Sequence, residues 1–217
     1  MADCTVQLAW LAIPAKIRPI RQSQENQTYQ LVNTWQPLHL IFRFVVLVRY
    51  ALQHGLPPGL RILSQRFILK TQNPDVDTRL FARESEIYGR LAPLQGRLIP
   101  RYYGIVKVRI GGKIYDAHLL EQLDGTPLTD YAQAHKSLSA LEHKTYQAFE
   151  KLSQAGIVHG DAETRNILVV DGDIKLIDFE LAEVLDSKHD ARRQNQIDLK
   201  TMFRKARLDA PVFIKTL

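Results

Sequence analysis

The stretch that most constrains this chain runs from Ile157 to Glu180, IVHGDAETRNILVVDGDIKLIDFE. Two short apolar runs rich in β-branched residues, 167–170 and 174–177, flank Asp171-Gly172. Asp-Gly readily adopts the pair of positive φ angles that a two-residue type I′ turn requires, so the pattern predicts an antiparallel hairpin. A hairpin brings its two ends together. Asn166 and Asp178 are therefore expected side by side, with Asp161 one short loop away behind His159-Gly160. Converging carboxylate and amide oxygens suit a hard cation such as Mg²⁺, which keeps several waters and completes its shell with substrate phosphates. Each residue alone has a plain structural reading: a core histidine, a turn aspartate, a cap, a surface acid. The hairpin is what ties them together.

The remainder of the chain limits what this centre belongs to. At 217 residues it is long enough for one full domain or two small lobes. One cysteine, Cys4, excludes an internal disulfide framework and suits an intracellular protein of the cytoplasm or nucleus. The net charge of +6 is concentrated in the tail, where residues 188–217 hold eight Lys or Arg against three Asp. Without interleaved aromatics or zinc-ligand spacing this reads as a solvated basic face, and no nucleic-acid partner is expected. Residues 6–14 are apolar but lack a basic region before them, which argues against a cleaved signal peptide. The run from Leu38 to Leu52 carries Arg43 and Arg49 and is too short to span a membrane, so it reads as a buried strand or helix, with an interfacial segment as the alternative. His54 to Gly59 contains Pro57-Pro58, which removes two backbone donors; it reads as a turn rather than a phosphate-cradling loop.

Residues 66–70 read as a strand ending in Lys70, followed by a helix over about 76–91 with Leu80, Phe81, Ile87, Tyr88 and Leu91 on one stripe. Glu84 lies in that stripe. An ionised carboxylate facing a core needs a partner, and Lys70 is the expected one; the alternative is a glutamate at the edge of the stripe that reaches water. Strands over 103–110 and 114–120 turn at Gly111-Gly112, and the polar segment Glu121-Gln122-Leu123-Asp124-Gly125 suits a connector between lobes. A short helix over 127–135 precedes a longer one over 139–155 that starts on a Ser139/Glu142 capping box and stops at Gly156. The last segment reads as an amphipathic helix over 192–207, with Leu199, Met202, Phe203 and Ala206 inward.

Strand lysine, helix glutamate, His-Gly-Asp with Asn five residues on, and Asp-Phe after a hairpin occur here in the order in which they resemble the protein kinase-like superfamily. Leu94-Gln95-Gly96, Ile99-Pro100 and Tyr103-Gly104 further resemble small kinase-like proteins of filamentous fungi. His-Gly-Asp is similar to the loop of aminoglycoside and choline phosphotransferases. The resemblance implies an α+β, protein kinase-like two-lobe fold with an N-terminal β-sheet plus one helix and a shortened helical C-terminal lobe. Residues 1–60 form a segment that does not match the family, 61–125 the first lobe and hinge, and 126–217 the truncated second lobe.

It further implies ATP and Mg²⁺ as cofactors and a protein or small-molecule hydroxyl as acceptor. Lys70 would contact the α and β phosphates while Glu84 holds it, and Glu121, Gln122 and Leu123 would meet adenine through the backbone. Asp161 would accept or orient the acceptor hydroxyl, and Asn166 and Asp178 would bind Mg²⁺. Arg165, four after Asp161, resembles the loop arginine of tyrosine kinases. Three departures stand out: no Gly-x-Gly-x-x-Gly precedes Lys70, Glu180 replaces the glycine after Asp-Phe, and 37 residues follow Glu180. These leave two functions, a phosphotransferase or a pseudokinase that binds nucleotide as an interaction module.

Overall fold

The computed structural model describes residues 2–8, 11–22, 26–32, 66–72, 78–135 and 139–208. The expected elements at 38–52 and 54–59 lie outside them. The chain divides into two units, one of Met1–Phe81 with Arg101–Gln122, the other of Ala82–Pro100 with Leu123–Leu217.

The first unit is built from β1 (Ala2–Leu8), β2 (Leu11–Gln22), β3 (Asn26–Val32), β4 (Phe67–Gln72), β5 (Tyr102–Ile110) and β6 (Lys113–Glu121). They pair antiparallel in the order β1-β2-β3-β4-β6-β5, and β1 returns to β5 to close a barrel. Closure leaves no unpaired edge. Alternate residues point inward, so Cys4 and Val6, Phe67 and Leu69, Val106 and Val108, and Ala117 and Leu119 fill the interior, with Ile17 and Tyr103 among them. The N-terminal stretch thus contributes three strands to the sheet that carries Lys70. Its strand character is hard to read because Pro14 and Pro19 interrupt β2, and the pairing of β2 with β3 shifts between Pro19 and Arg21. The β5–β6 hairpin turns on Gly111 and Gly112, both at positive φ (54° and 84°), as expected of the Gly-Gly pair.

Lys70 and His118 are cross-strand partners and face away from the interior, each adjacent in sequence to an inward residue, Leu69 and Leu119. β4 runs two residues past Lys70. Phe81 stacks on the His118 ring at 3.8 Å between centroids, and the ring nitrogens bond the Tyr102 hydroxyl (3.0 Å) and the Phe81 carbonyl (3.1 Å). Burial, and then the Lys70 charge, push the His118 pKa down to about 3. Below pH 6.5 the unfolded chain therefore binds a proton that the folded chain refuses, and stability falls as the pH drops from 6.5 towards 3. At pH 5 this one residue is expected to cost about 2 kcal/mol relative to pH 7.5. Urea unfolding at the two pH values, in wild type and His118→Gln, checks this; an unchanged pH dependence in the variant would mean that His118 titrates normally.

In the second unit lie α1 (Thr78–Arg90) from Ala82 onward, α2 (Leu128–His135), α3 (Ser139–Gln154) and α4 (Lys188–Leu208). Between the helices run β7 (Thr126–Pro127), β8 (Ile157–Val158), β9 (Ile167–Val170), β10 (Asp173–Leu176) and β11 (Glu183–Val184), in two small sheets ordered β10-β9-β7 and β11-β8. Gly156, at φ 73°, ends the α3 segment as its glycine predicts. α4 starts four residues before the expected helix because Ser187 caps it, its hydroxyl accepting from the Asp190 N–H at 3.2 Å. α4 lies on α3 through stacked Tyr146 and Phe203, 5.9 Å apart, and through the ion pairs Arg192–Glu150 and Arg207–Glu142. Among the described residues no helix is long and apolar enough to cross a membrane.

Candidate active site

The hairpin forms in the register its turn dictates. Asp171 and Gly172 both take positive φ, 52° and 79°, and Asp173 pairs with Val170 through to Leu176 with Ile167. One step beyond the ladder, the Ile177 N–H donates to the Asn166 carbonyl at 3.0 Å, so the chain enters Asp178 directly beside Asn166. Asp178 itself sits at φ 69°. A non-glycine residue in that region is held there by its surroundings against an unfavourable backbone energy, a feature that clusters at functional sites.

Asp161 is fixed from several sides. Its Oδ2 accepts from the Asn166 amide at 2.7 Å and from the Arg165 guanidinium at 2.8 Å, and its backbone carbonyl accepts from Asn166 Nδ2 (3.1 Å) and the Glu163 N–H (2.8 Å). Asn166 is fully buried, whereas Arg165 is half exposed and also lies 3.9 Å from Glu163. With Nδ2 committed to Asp161, the amide oxygen is the atom of Asn166 that would face a cation. Amide and carboxylate oxygens are the donor types Mg²⁺ takes. Among the described residues no three His, Cys, Asp or Glu gather as a metal site.

Behind this loop His159 is wholly buried. Burial lowers its pKa, opposed by the charges of Asp178 and Asp161. A neutral ring protonated at Nε2 satisfies both of its contacts: Nε2–H donates to the Ile177 carbonyl at 3.1 Å, and Nδ1 accepts from the Asp161 N–H at 3.4 Å. One histidine thus links the start of the loop to the far end of the hairpin. Phe179 packs against His159 (4.9 Å) and Tyr88 (5.5 Å), and Phe149 stacks on His159 at 5.6 Å. Gly160 turns at φ 76°.

Asn195 of α4 is the residue that sequence reasoning passed over. It is 1 % exposed, accepts from the His159 N–H at 3.1 Å, and donates to the Ile157 carbonyl at 2.9 Å and the Ser153 hydroxyl at 3.0 Å. The signal for it was a polar residue in the apolar stripe Ala191, Asn195, Leu199, Met202.

The remaining expected residues fall as follows. Lys70 belongs to the first unit and Glu84 to the second; both are buried, at 7 % and 1 % exposure. In the connector, the Glu121 N–H donates to the Arg101 carbonyl (2.9 Å) and the Gln122 N–H to the Arg66 carbonyl (2.8 Å). The Glu121 carboxylate bonds Arg101 at 2.9 Å, and Gln122 accepts from Gln30 at 3.1 Å. Leu123 begins the second unit's share of the connector. Glu180 is buried.

A family model described as the lipopolysaccharide kinase (Kdo/WaaP) family matches residues 76–213, which include Glu84, Asp161, Asn166, Asp178 and Asn195 but not Lys70. The chain is 33% identical over 179 residues to a probable bifunctional tRNA threonylcarbamoyladenosine biosynthesis protein of Methanospirillum hungatei, covering 76% of this chain and 31% of that protein. It is also 33% identical over 82 residues to the mouse dual specificity protein kinase TTK, covering 32% of this chain and 10% of that one. The chain spans less than a third of the length of these curated relatives. By the reach of the family match and the residues it takes in, the chain belongs to the lipopolysaccharide kinase (Kdo/WaaP) family, within the protein kinase-like superfamily.

Proposed function

We propose that this chain is an ATP- and Mg²⁺-dependent phosphotransferase that moves the γ-phosphate to a hydroxyl of a protein or a small molecule. The observation that carries this reading is the Asp161–Asn166–Asp178 arrangement, with the Asn166 amide 2.7 Å from the Asp161 carboxylate and the hairpin delivering Asp178 beside Asn166. Asp161 accepts the proton of the acceptor hydroxyl, or orients that hydroxyl so that its proton passes to the transferred phosphate; the acceptor oxygen bonds to the γ-phosphorus as the bond to the β,γ-bridging oxygen breaks and ADP leaves. Asn166 and Asp178 hold the cation, which when bound neutralises charge on the phosphates. Lys70 contacts the α and β phosphates, with Glu84 holding it. Glu121, Gln122 and Leu123 meet adenine through the backbone; the amides of Glu121 and Gln122 donate to the Arg101 and Arg66 carbonyls.

ATP with Mg²⁺ at 100 times its dissociation constant is expected to stabilise the fold by about 2.7 kcal/mol, read as a rise in melting temperature, and labelled γ-phosphate is expected to move to the protein itself or to a hydroxyl acceptor. Absence of any shift across ATP concentrations would sink the reading. A second reading, a pseudokinase that binds nucleotide with weak or no catalysis, is favoured by one contact: Arg165 occupies the same Asp161 oxygen that Asn166 does. Binding without transfer to any acceptor would select it.

A further inference from the structure

We infer that Gln72 is a phosphate-binding residue whose side-chain amide donates to the terminal phosphate of the nucleotide; this rests on the phosphotransferase reading, in which Lys70 meets the α and β phosphates. Gln72 ends β4, two residues past Lys70, with its backbone held in the ladder opposite Asn26. Side chains alternate along a strand, so Gln72 shares the face of Lys70, opposite to the inward Phe67 and Leu69. Its Nε2 is buried and has no hydrogen-bond partner among the described residues. A buried amide donor left unmet is costly, and such a group in a folded chain calls for an explanation. A donor cannot ligate a cation. What would satisfy it is a ligand that brings an acceptor, and the ammonium of Lys70 on the same face favours an anionic one.

The side chains flanking Lys70 do not meet this need. His118, level with Lys70 on β6, has both ring nitrogens engaged, with the Tyr102 hydroxyl and the Phe81 carbonyl. Asp116, two residues before His118 on the same face of β6, bonds Lys107 at 3.0 Å. Position along β4 then selects the phosphate. The strand begins beside the connector, where Phe67 pairs with Glu121 and the Arg66 carbonyl takes the Gln122 N–H. At about 3.4 Å per residue, Lys70 lies about 10 Å from Phe67 and Gln72 about 7 Å beyond Lys70. A nucleotide with its base at the connector and its α and β phosphates at Lys70 therefore directs its third phosphate towards Gln72. No Gly-x-Gly-x-x-Gly precedes Lys70 to cover the phosphates with backbone donors, and a side-chain donor supplies what such a loop would give.

The test measures the affinity of the full chain for ATP and for ADP, each with Mg²⁺, by calorimetry, in the wild type, Gln72→Met and Gln72→Glu. Methionine keeps an unbranched side chain of similar length without a donor. Q72M is expected to weaken ATP binding by about tenfold or more, the loss of one hydrogen bond to a charged group, and to leave ADP within about twofold, since ADP has no third phosphate. Without nucleotide Q72M should melt at or above the wild-type temperature, because the donor it removes is unmet until nucleotide binds. Should Q72M not fold, Q72E keeps the size and polarity of the side chain but sets a carboxylate against the phosphate, so ATP should weaken by at least as much and ADP by less. ATP affinity within about twofold of wild type in either folded variant, equal weakening of ATP and ADP, or a lower melting temperature of Q72M without nucleotide would overturn the inference. A wild type that binds neither nucleotide would defeat the phosphotransferase reading, and this inference with it. A wild type that binds both, with its preference for ATP unchanged in Q72M, defeats this inference alone.

Discussion

Asp161→Asn is expected to lower phosphate transfer by about 10²- to 10⁴-fold, the range lost with a positioned proton acceptor, while ATP with Mg²⁺ still raises the melting temperature as in the wild type. The choice of asparagine follows from the geometry. Oδ2 of Asp161 accepts two bonds, from the fully buried Asn166 amide and from Arg165. An asparagine can turn its oxygen to the same place and keep both, presenting an NH₂ group where the second carboxylate oxygen was. Alanine would leave the buried Asn166 donor without that acceptor, at about 1–3 kcal/mol, and would mix a folding defect into the kinetics. The amide also cannot take a proton at neutral pH. Turnover within threefold of wild type would show that Asp161 neither accepts nor orients the acceptor proton.

The centre was legible because its geometry is local. The Asp-Gly turn fixes a register of four residue pairs, and that register alone decides that Asn166 and Asp178 are neighbours. Gly156 and Gly111-Gly112 were readable for the same reason: a positive φ is written in the residue type. Non-local features were not. Asn195 reaches the loop across 36 residues of sequence, and the stripe that contains it looks like ordinary amphipathic helix once its first two turns are ignored. Closure of the barrel by β1 onto β5 depends on pairing residues such as Val6 with Val108, which no local pattern announces. The backbone of Asp178 is set by what surrounds it, since nothing in the residue type favours φ 69° over the ordinary extended region. The connector shows the intermediate case. Its polar composition marked it as a join, but the composition did not show that the Glu121 side chain is tied to Arg101.

The same logic makes Gly160 the most sensitive residue of the loop for folding. Its φ of 76° already disfavours any side chain, and a Cβ built there would lie 2.0 Å from the Leu181 carbonyl oxygen and 2.7 Å from its carbon. Backbone is what it meets, so no rotamer change relieves the contact. Either residue 160 or residue 181 must retreat by about 1 Å or more to reach ordinary contact distance, which strains the backbone of both segments. Gly172 supplies the control: it has nearly the same φ, 79°, with nothing within 4 Å of its would-be Cβ. Gly172→Ala should therefore cost about 1 kcal/mol, the backbone penalty alone. Gly160→Ala should cost about 3 kcal/mol or more once overpacking adds to it, a drop of roughly 6–12 °C in melting temperature for a chain of this size. If the two variants melt within about 2 °C of each other, the approach of Leu181 to Gly160 is not tight in solution. If they separate as expected, the functional consequence follows from the position of the strain. Residue 160 precedes Asp161, and residue 181 follows the Asp178-Phe179-Glu180 segment, so relief at either end moves one of the two carboxylates on which the proposed chemistry depends. The folded fraction of Gly160→Ala should then turn over more slowly than that of Gly172→Ala.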